Sequence, residues 1–466
     1  MTEGKKRKRL EWFYYFLPLA GTVFVLWYIH TAAYDMAYSD YIRQILSYLP
    51  DVWNPEKFFV ADILTRIPIN FPVRAFNVNV LGFSVIFDLI LGGLGLGLAS
   101  LVLADYGRRR KLGIVWFVLL MLLFFSLNKW EMLTNGTGWV HFFAFACFYY
   151  HYILFDRMER GEGKRRDGLK LIVLPFFITL GTAGPYCAVY TGVMLLAYGF
   201  AAGRKKALQG IWDKRYLKYG IALLVPLCLY LWSSSYGITE HAGAYEGPML
   251  PVLLEQPELF GKFFIKSFAG MVFGHEAFEE LVNRGIMPYA TVYLLGLAVI
   301  GGYLLALYLN FRYRLYEKTI LPLILLAAGG MNHVLILLSR WIFLRDSYGM
   351  SSRYALQFQV GILGIVLTLG LLWDKLSGWN RKVQTIKALA VLWCLVVLVG
   401  NIYTTYREIK IAPNRKEWGR TVAEMALHYE DFDDDELKQW FQYRSGEKIR
   451  QALSILKENH LNVYRD

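Results

Sequence analysis

This sequence is short of charge and of cysteine. Asp, Glu, Lys and Arg make up only 19% of its 466 residues, and there are four cysteines. An ordinary soluble domain carries about 25% charged residues. The shortfall argues against a soluble enzyme, and a hydrophobic content of 56% excludes intrinsic disorder. Four cysteines are too few for a disulfide scaffold. Cys147, Cys187, Cys228 and Cys394 all lie inside apolar runs, where a thiol acts as a small hydrophobe and says nothing of redox compartment. No tandem repeat or low-complexity tract is visible. Within the apolar runs ionisable groups are rare, with Asp88 and His333 the main exceptions. Each reads either as a relay group or as a paired helix-packing residue.

What the sequence does have is long apolar runs separated by basic clusters. A helix needs about 20 apolar residues to cross a bilayer. Runs at 12–30, 78–104, 112–127, 138–155, 169–181, 186–202, 218–235, 289–310, 319–339, 354–373 and 383–402 predict about eleven transmembrane helices. The fold class is therefore an all-α polytopic membrane protein. The first run is too long for a signal h-region and has no clear cleavage site after it, so it reads as an uncleaved anchor. The short runs at 169–181 and 186–202 are broken by GTAGPY at 181–186, a tight turn by its Gly and Pro content. The glycine-rich LGGLGLGLAS at 91–100 reads as close helix packing.

The net charge of +13 is not a nucleic-acid signal. KKRKR at 5–9, RRRK at 108–111 and the clusters at 157–170, 203–218, 312–318 and 375–387 hold 28 of the 50 Lys and Arg residues. Each lies between apolar runs or before the first one, which is the positive-inside pattern. It places the amino terminus in the cytoplasm and the carboxyl terminus outside, across the plasma membrane. Residues 1–402 read as the membrane domain and 403–466 as an extracytoplasmic tail. The tail carries Leu437, Trp440 and Phe441, then Ile449, Ala452, Leu453 and Leu456, at helical spacing. That predicts two short amphipathic helices packed on the outer loops, the second capped by Ser445.

Candidate chemistry lies in the outer segments. Asp35 and Asp40 follow the first span. Five residues turn them about 140° apart on a helix, so one catalytic carboxylate is expected rather than a pair. N-capping is the plain alternative for either. Asp62 and Arg66 are spaced for an i,i+4 ion pair. After the third span, Lys129, Trp130 and Glu131 precede His141; Trp130 alone reads as an interfacial anchor. The loop at 339–359 carries Arg340, Arg345 and Arg353. Ser351 and Ser352 are N-cap candidates for the span that follows. Arg353 falls in a first helical turn, where a cation is unfavourable without a nearby anion. A lipid phosphate would meet that need, with headgroup binding as the non-catalytic reading.

Four of these elements together resemble the GT-C superfamily, polytopic glycosyltransferases that use polyprenyl-phosphate sugars. They are YSDY with Asp40, ADILTRIPI with Asp62 and Arg66, KWEMLTNG after the third span, and RDSYGMSSRYA with Arg345, Arg353 and Tyr354. The ending LKENHLNVYRD is also similar to the tails of bacterial GT-C-like proteins. The resemblance spans most of the chain. It implies a GT-C-like fold and sugar transfer at the outer face, from a polyprenyl-phosphate donor such as undecaprenyl phosphate, to an envelope glycan such as teichoic acid or wall polysaccharide, or to a lipid-linked acceptor. Asp40 is then the base. Arg353 and Arg345, with Arg66 or Lys129, hold the donor phosphate. Asp62, Trp130, Glu131, His141, Tyr186 and Tyr354 line the substrate, with His275 and Glu276 in reserve. Many members have two adjacent acidic residues where this chain has Ser39 and Asp40. The cofactor is therefore left open: Asp40 acts without a metal, or Asp35 supplies a second ligand to a divalent cation, Mg or Mn. The bilayer is the other expected partner, and nucleic acid is not. A lipid-linked glycan flippase, a polysaccharide polymerase or ligase and a non-catalytic scaffold are the alternatives.

Overall fold

The computed structural model describes residues 3–54, 71–233, 244–376 and 380–465. Among them every regular element is helical. Helix α1 (Glu3–Ala32) leads through a loop to the short α2 (Asp40–Tyr48). Helix α3 (Phe71–Leu81) turns at Gly82 into α4 (Val85–Arg109). Helix α5 (Ile114–Phe124) runs through a 3₁₀ turn into α6 (Trp130–Thr134). Helices α7 (Trp139–Glu159) and α8 (Asp167–Phe177) form a hairpin, and α8 continues as a π turn, Ile178–Thr182, before α9 (Cys187–Gln209) and α10 (Lys214–Ser233). Three shorter helices, α11 (Met249–Glu255), α12 (Pro257–Ala269) and α13 (His275–Asn283), precede the long α14 (Thr291–Arg312), α15 (Leu321–Arg340), α16 (Ala355–Leu372) and α17 (Arg381–Leu427). Helices α18 (Asp434–Phe441) and α19 (Gly446–Glu458) close the fold.

Nine segments among the described residues are long and apolar enough to cross a bilayer. They contain α1, α4, α5 with α6, α9, α10, α14, α15, α16 and α17. Apolar side chains face outward along them: Trp12, Phe16, Leu19, Val23 and Trp27 repeat at helical spacing on the exposed side of α1. A water-soluble fold would hide such a stripe. Helix α16 takes the opposite place, buried along nearly its whole length at the centre of the bundle.

The two remaining expected spans, 138–155 and 169–181, fall on α7 and α8 and do not pass the same test of length and apolarity. Helix α7 has 21 residues, but His141, His151, Asp156, Arg157 and Glu159 dilute its apolar character. Helix α8 has only 11 residues before its π turn. The pair nonetheless runs the depth of the bundle. At one end His141 of α7 meets Tyr186, their ring centroids 5.0 Å apart. At the other, Asp156 accepts bonds from Thr319 Oγ1 (2.6 Å) and the Ile320 (2.7 Å) and Leu321 (3.3 Å) N–H groups at the start of α15. A carboxylate there satisfies N–H groups that have no partner within their own helix and favours the positive end of its dipole.

The glycine run of α4 packs on two neighbours at once. A Cβ at Gly92 or Gly95 would crowd Phe142 of α7, at 3.2 Å and 3.0 Å; one at Gly93 or Gly97 would crowd Leu26 or Thr22 of α1. Asp88 and His333, the two ionisable exceptions within the apolar runs, are each hydrogen-bonded. Asp88 accepts from Tyr41 Oη (3.0 Å) and Asn77 Nδ2 (3.2 Å). His333 Nδ1 shares a hydrogen with Ser267 Oγ (2.7 Å), and its ring is stacked between Phe268 and Phe358. Helix α17 is continuous for 47 residues, about 70 Å at 1.5 Å per residue. The 402/403 division therefore falls inside one helix. Helices α18 and α19 form as the spacing predicts, with Ser445 Oγ accepting from Lys448 N–H (3.2 Å).

Replacing Gly97 with Val drives a branched side chain into Thr22. It is expected to destabilise the detergent-solubilised protein by about 1–3 kcal/mol. Gly199→Ala, where a Cβ meets nothing within 4 Å, should change stability by less than about 1 kcal/mol. Thermal unfolding of the two variants checks this.

Candidate functional site

The end of α1, the starts of α4, α7 and α16, and helix α6 gather at one end of the bundle, the Asp40 end. Here the two acidic residues of the first loop part company. Asp35 Oδ1 accepts the Val85 (2.6 Å) and Ile86 (3.3 Å) N–H groups, and Oδ2 accepts Ser84 Oγ–H (2.9 Å) and Arg465 Nη2–H (2.6 Å). Asp35 thus caps α4 and is held in an ion pair. Asp40 opens α2 after Ser39, whose φ is 55°. Asp40 is half-buried, and no hydrogen bond or ion pair occupies it among the described residues. Its charge acts on Arg353 and on Tyr38.

Arg353 has the anion that its place in a first turn requires, and that anion belongs to the protein. Its Nε–H donates to Glu131 Oε1 in a close ion pair, while Ser352 Oγ–H donates to Glu131 Oε2 (3.0 Å). Ser351 Oγ accepts the Arg353 N–H (3.4 Å), closing the 3₁₀ turn that starts α16. Neither Nη group of Arg353 donates to protein among the described residues. Tyr38 lies within the field of both Asp40 and Glu131. Burial first, then the charges of Glu131 and Asp40, push its hydroxyl up to about 12, against the pull of Arg353 and Arg415. A raised phenol stays protonated through the neutral range, so Tyr38 acts as a donor rather than a base.

Helix α17 supplies the opposite wall. Arg415 places its guanidinium carbon 3.2 Å from the centre of the Trp130 ring and donates to Glu408 Oε2 from Nε (3.1 Å) and Nη2 (2.8 Å). Arg407 links Glu408 (2.9 Å) to Glu280 (2.6 Å), which also holds Arg284 (2.5 Å). Trp130 Nε1–H points to Glu276 Oε2 at 3.4 Å. One face of Trp130 is thereby covered by a cation, and Glu276 belongs to this network. His275 pairs within its own helix with Glu279 at 3.2 Å. Trp418 packs edge-on against Tyr38, 4.9 Å between ring centres.

Other expected site residues lie elsewhere. Lys129 is fully buried and donates to the carbonyls of Phe124 (2.8 Å) and Ser126 (2.9 Å), so it closes the end of α5 and turns away from any phosphate at the surface. His141 and Tyr186 pack on each other between α7 and the start of α9. Tyr354 is buried beneath the Arg340 guanidinium, which sits 5.6 Å over its ring. Arg345 is exposed. Asp62 and Arg66 lie outside the described residues. The structure thus brings Asp40, Glu131 and Arg353 together, with Trp130 and Glu276 adjoining through Arg415. It adds Tyr38, Arg415, Glu408 and Arg407. Of these, Glu408 and Arg415 carried a signal: seven residues apart, they share one helical face.

Among the described residues no three His, Cys, Asp or Glu side chains are grouped to hold a metal ion. Both Asp35 oxygens are already occupied, so Asp35 and Asp40 do not fit a two-carboxylate cation site.

The loop that carries Arg345 and Arg353 is anchored by a buried cation. Lys266 Nζ pairs with Asp346 Oδ2 (2.8 Å) and donates to Tyr289 Oη (2.6 Å). Burial works against the lysine's charge, but Asp346 and Tyr289 outweigh it and hold the ammonium above its usual range.

These features define the class: a helical, multi-pass membrane protein with a polar cluster at one end of the bundle. Compared with protein-family models, curated proteins and solved structures, the chain matches none.

Removing Asp346 leaves Lys266 buried without its counter-ion. Asp346→Asn is expected to destabilise the protein by about 1–3 kcal/mol at pH 7–9, below the 3–5 kcal/mol of a fully buried pair because Asp346 is partly exposed. The folded lysine has the raised pKa, so the pair's contribution is complete below the ordinary lysine value and disappears above the raised one. The gap between wild type and variant should therefore narrow as pH rises beyond the ordinary lysine value of about 10.4, as read by denaturation across that range.

Proposed function

We propose that this protein is a GT-C-type membrane glycosyltransferase that moves a sugar from a polyprenyl-phosphate donor to an envelope glycan or a lipid-linked acceptor. The observation that carries the reading is the pairing of opposites at the Asp40 end: a carboxylate with no protein partner among the described residues lies in the field of Arg353, whose Nη groups are unengaged among those same residues. Asp40 takes the proton of the acceptor hydroxyl as that oxygen attacks the anomeric carbon. The bond from that carbon to the phosphate oxygen breaks, and polyprenyl phosphate leaves with increased negative charge. Arg353, held by Glu131 through Nε alone, presents both Nη groups to that charge, and exposed Arg345 assists. General-base transfer contributes roughly 10²–10⁴-fold. Stabilising the leaving phosphate contributes a comparable amount.

The topology in this reading has eleven crossings, with α7 and the α8 hairpin arm counted because they run the depth of the bundle. The basic clusters face the cytoplasm of a plasma-membrane protein, and the Asp40 end faces outward. The donor's lipid then stays in the bilayer while its sugar reaches water. The reaction uses no step through a metal, since the donor set at Asp35 and Asp40 does not fit one. Asp88 and His333, the residues a flippase would use, are each tied to a hydroxyl, so no observation favours transport.

Asp40→Asn and Arg353→Ala should each lower transfer from a radiolabelled undecaprenyl-phosphate hexose to envelope extract by about 10²-fold or more, with the purified protein still folded. Transfer at the wild-type rate in both variants removes the proposed roles. Lipid scrambling in vesicles without any transfer establishes a transporter, and products that lengthen by repeated addition establish a polymerase.

A further inference from the structure

Asp35 and Asp40 are separated by one short loop, and the shape of that loop is imposed from a distant part of the sequence. Asn462 is buried, and its φ of 54° lies in the left-handed region that asparagine tolerates better than most residues. Its backbone N–H donates to the Gly82 carbonyl (2.7 Å) and its side-chain nitrogen to the Phe83 carbonyl (3.0 Å). Its side-chain oxygen accepts the Ala37 N–H (3.0 Å). Three residues on, Arg465 donates from Nη1 to the Leu81 carbonyl (2.6 Å), from Nη2 to Asp35 (2.6 Å) and from Nε back to the Asn462 carbonyl (2.8 Å). Gly82 has no Cβ to block that arginine; one there would run into its side chain. The Ser39 N–H donates to the Phe441 carbonyl (2.8 Å), and α19 packs against α2.

The 35–39 backbone is therefore tied at Ala37 and Ser39 and its side chain at Asp35, in each case with a partner from 441–465. The next residue is Asp40. We propose that residues 461–465 form a clasp that sets the position of Asp40, with Asn462 and Arg465 as positioning residues for the site. The inference rests on the reading of Asp40 as the base. It goes beyond that reading in giving Asp35 a separate role, as the post on which the clasp closes. Free backbone groups in an irregular loop need partners. Here the Ala37 N–H is held by the Asn462 side chain, the Ser39 N–H by the Phe441 carbonyl and the Asp35 carboxylate by Arg465, so two of the three ties rest on side chains that can be cut one at a time.

The test uses the full-length, detergent-solubilised protein in two arms. In the first, the native cysteines are replaced and Ala37→Cys places a thiol at a buried position of the loop. Its reaction with a maleimide should be at least tenfold faster when Asn462→Ala or Arg465→Ala is added, and close to the parent rate with Arg465→Lys, which keeps the charge facing Asp35. In the second arm, Asn462→Ala and Arg465→Ala should lower kcat for sugar transfer at least tenfold while leaving KM for the donor within twofold, and Arg465→Lys should restore most of kcat. An unchanged labelling rate in both alanine variants overturns the clasp. Faster labelling with unchanged kcat overturns its role in positioning Asp40. If the wild-type protein transfers no sugar, the glycosyltransferase reading fails by itself, and the labelling arm still decides whether the clasp holds the loop.

Discussion

The Glu131 carboxylate is the contact on which the Asp40 end depends. A guanidinium in the first turn of a helix opposes the helix's own positive end and needs an anion close by. Glu131 supplies it to Arg353 and accepts the Ser352 hydroxyl with its second oxygen. That ties α6 to the start of α16 and turns Arg353 so that Nε faces the protein. Two residues earlier in the sequence, Lys129 does the reverse and turns inward to close α5. Neighbours in sequence thus serve opposite sides of one helical turn, one sealing the bundle and the other shaping its polar end.

Elsewhere the bundle keeps its buried carboxylates occupied. Unsatisfied donors and acceptors are costly in a hydrocarbon environment. Asp156 gathers the free N–H groups at the start of α15, Asp88 is held by Tyr41 and Asn77, and His333 shares a proton with Ser267 between two phenyl rings. Against that background a carboxylate such as Asp40, with no partner among the described residues, stands out. Acid–base chemistry needs a group that is ionised, reachable and unoccupied. Asp35, a few residues away, is fully engaged.

Much of the architecture was legible in the residues. Long apolar runs between basic clusters gave the membrane helices, because burial in lipid demands that composition. The spacing of Leu437, Phe441, Ile449 and Leu456 gave the two closing helices, because those side chains recur on one face. Glycines at 92, 93, 95 and 97 gave close packing, although the division of that packing between α7 and α1 was not visible. Helices α7 and α8 blurred the span count, since buried histidines and acids that serve neighbouring helices lower the apolarity by which a span is recognised.

The site was legible only in part. That Arg353 required an anion followed from local helix electrostatics; that the anion is Glu131, more than 200 residues away, did not. Asp35 and Asp40 looked alike as two carboxylates after a span. Lys129 looked as available as Arg345, and Tyr38 carried no sign of its place. Composition and periodicity determined which segments are helical and which faces are apolar, because these depend on near neighbours and on the solvent. Which carboxylate is capped, which cation is buried and which is left facing outward were decided by the tertiary structure alone, because each depends on a partner brought close only by packing.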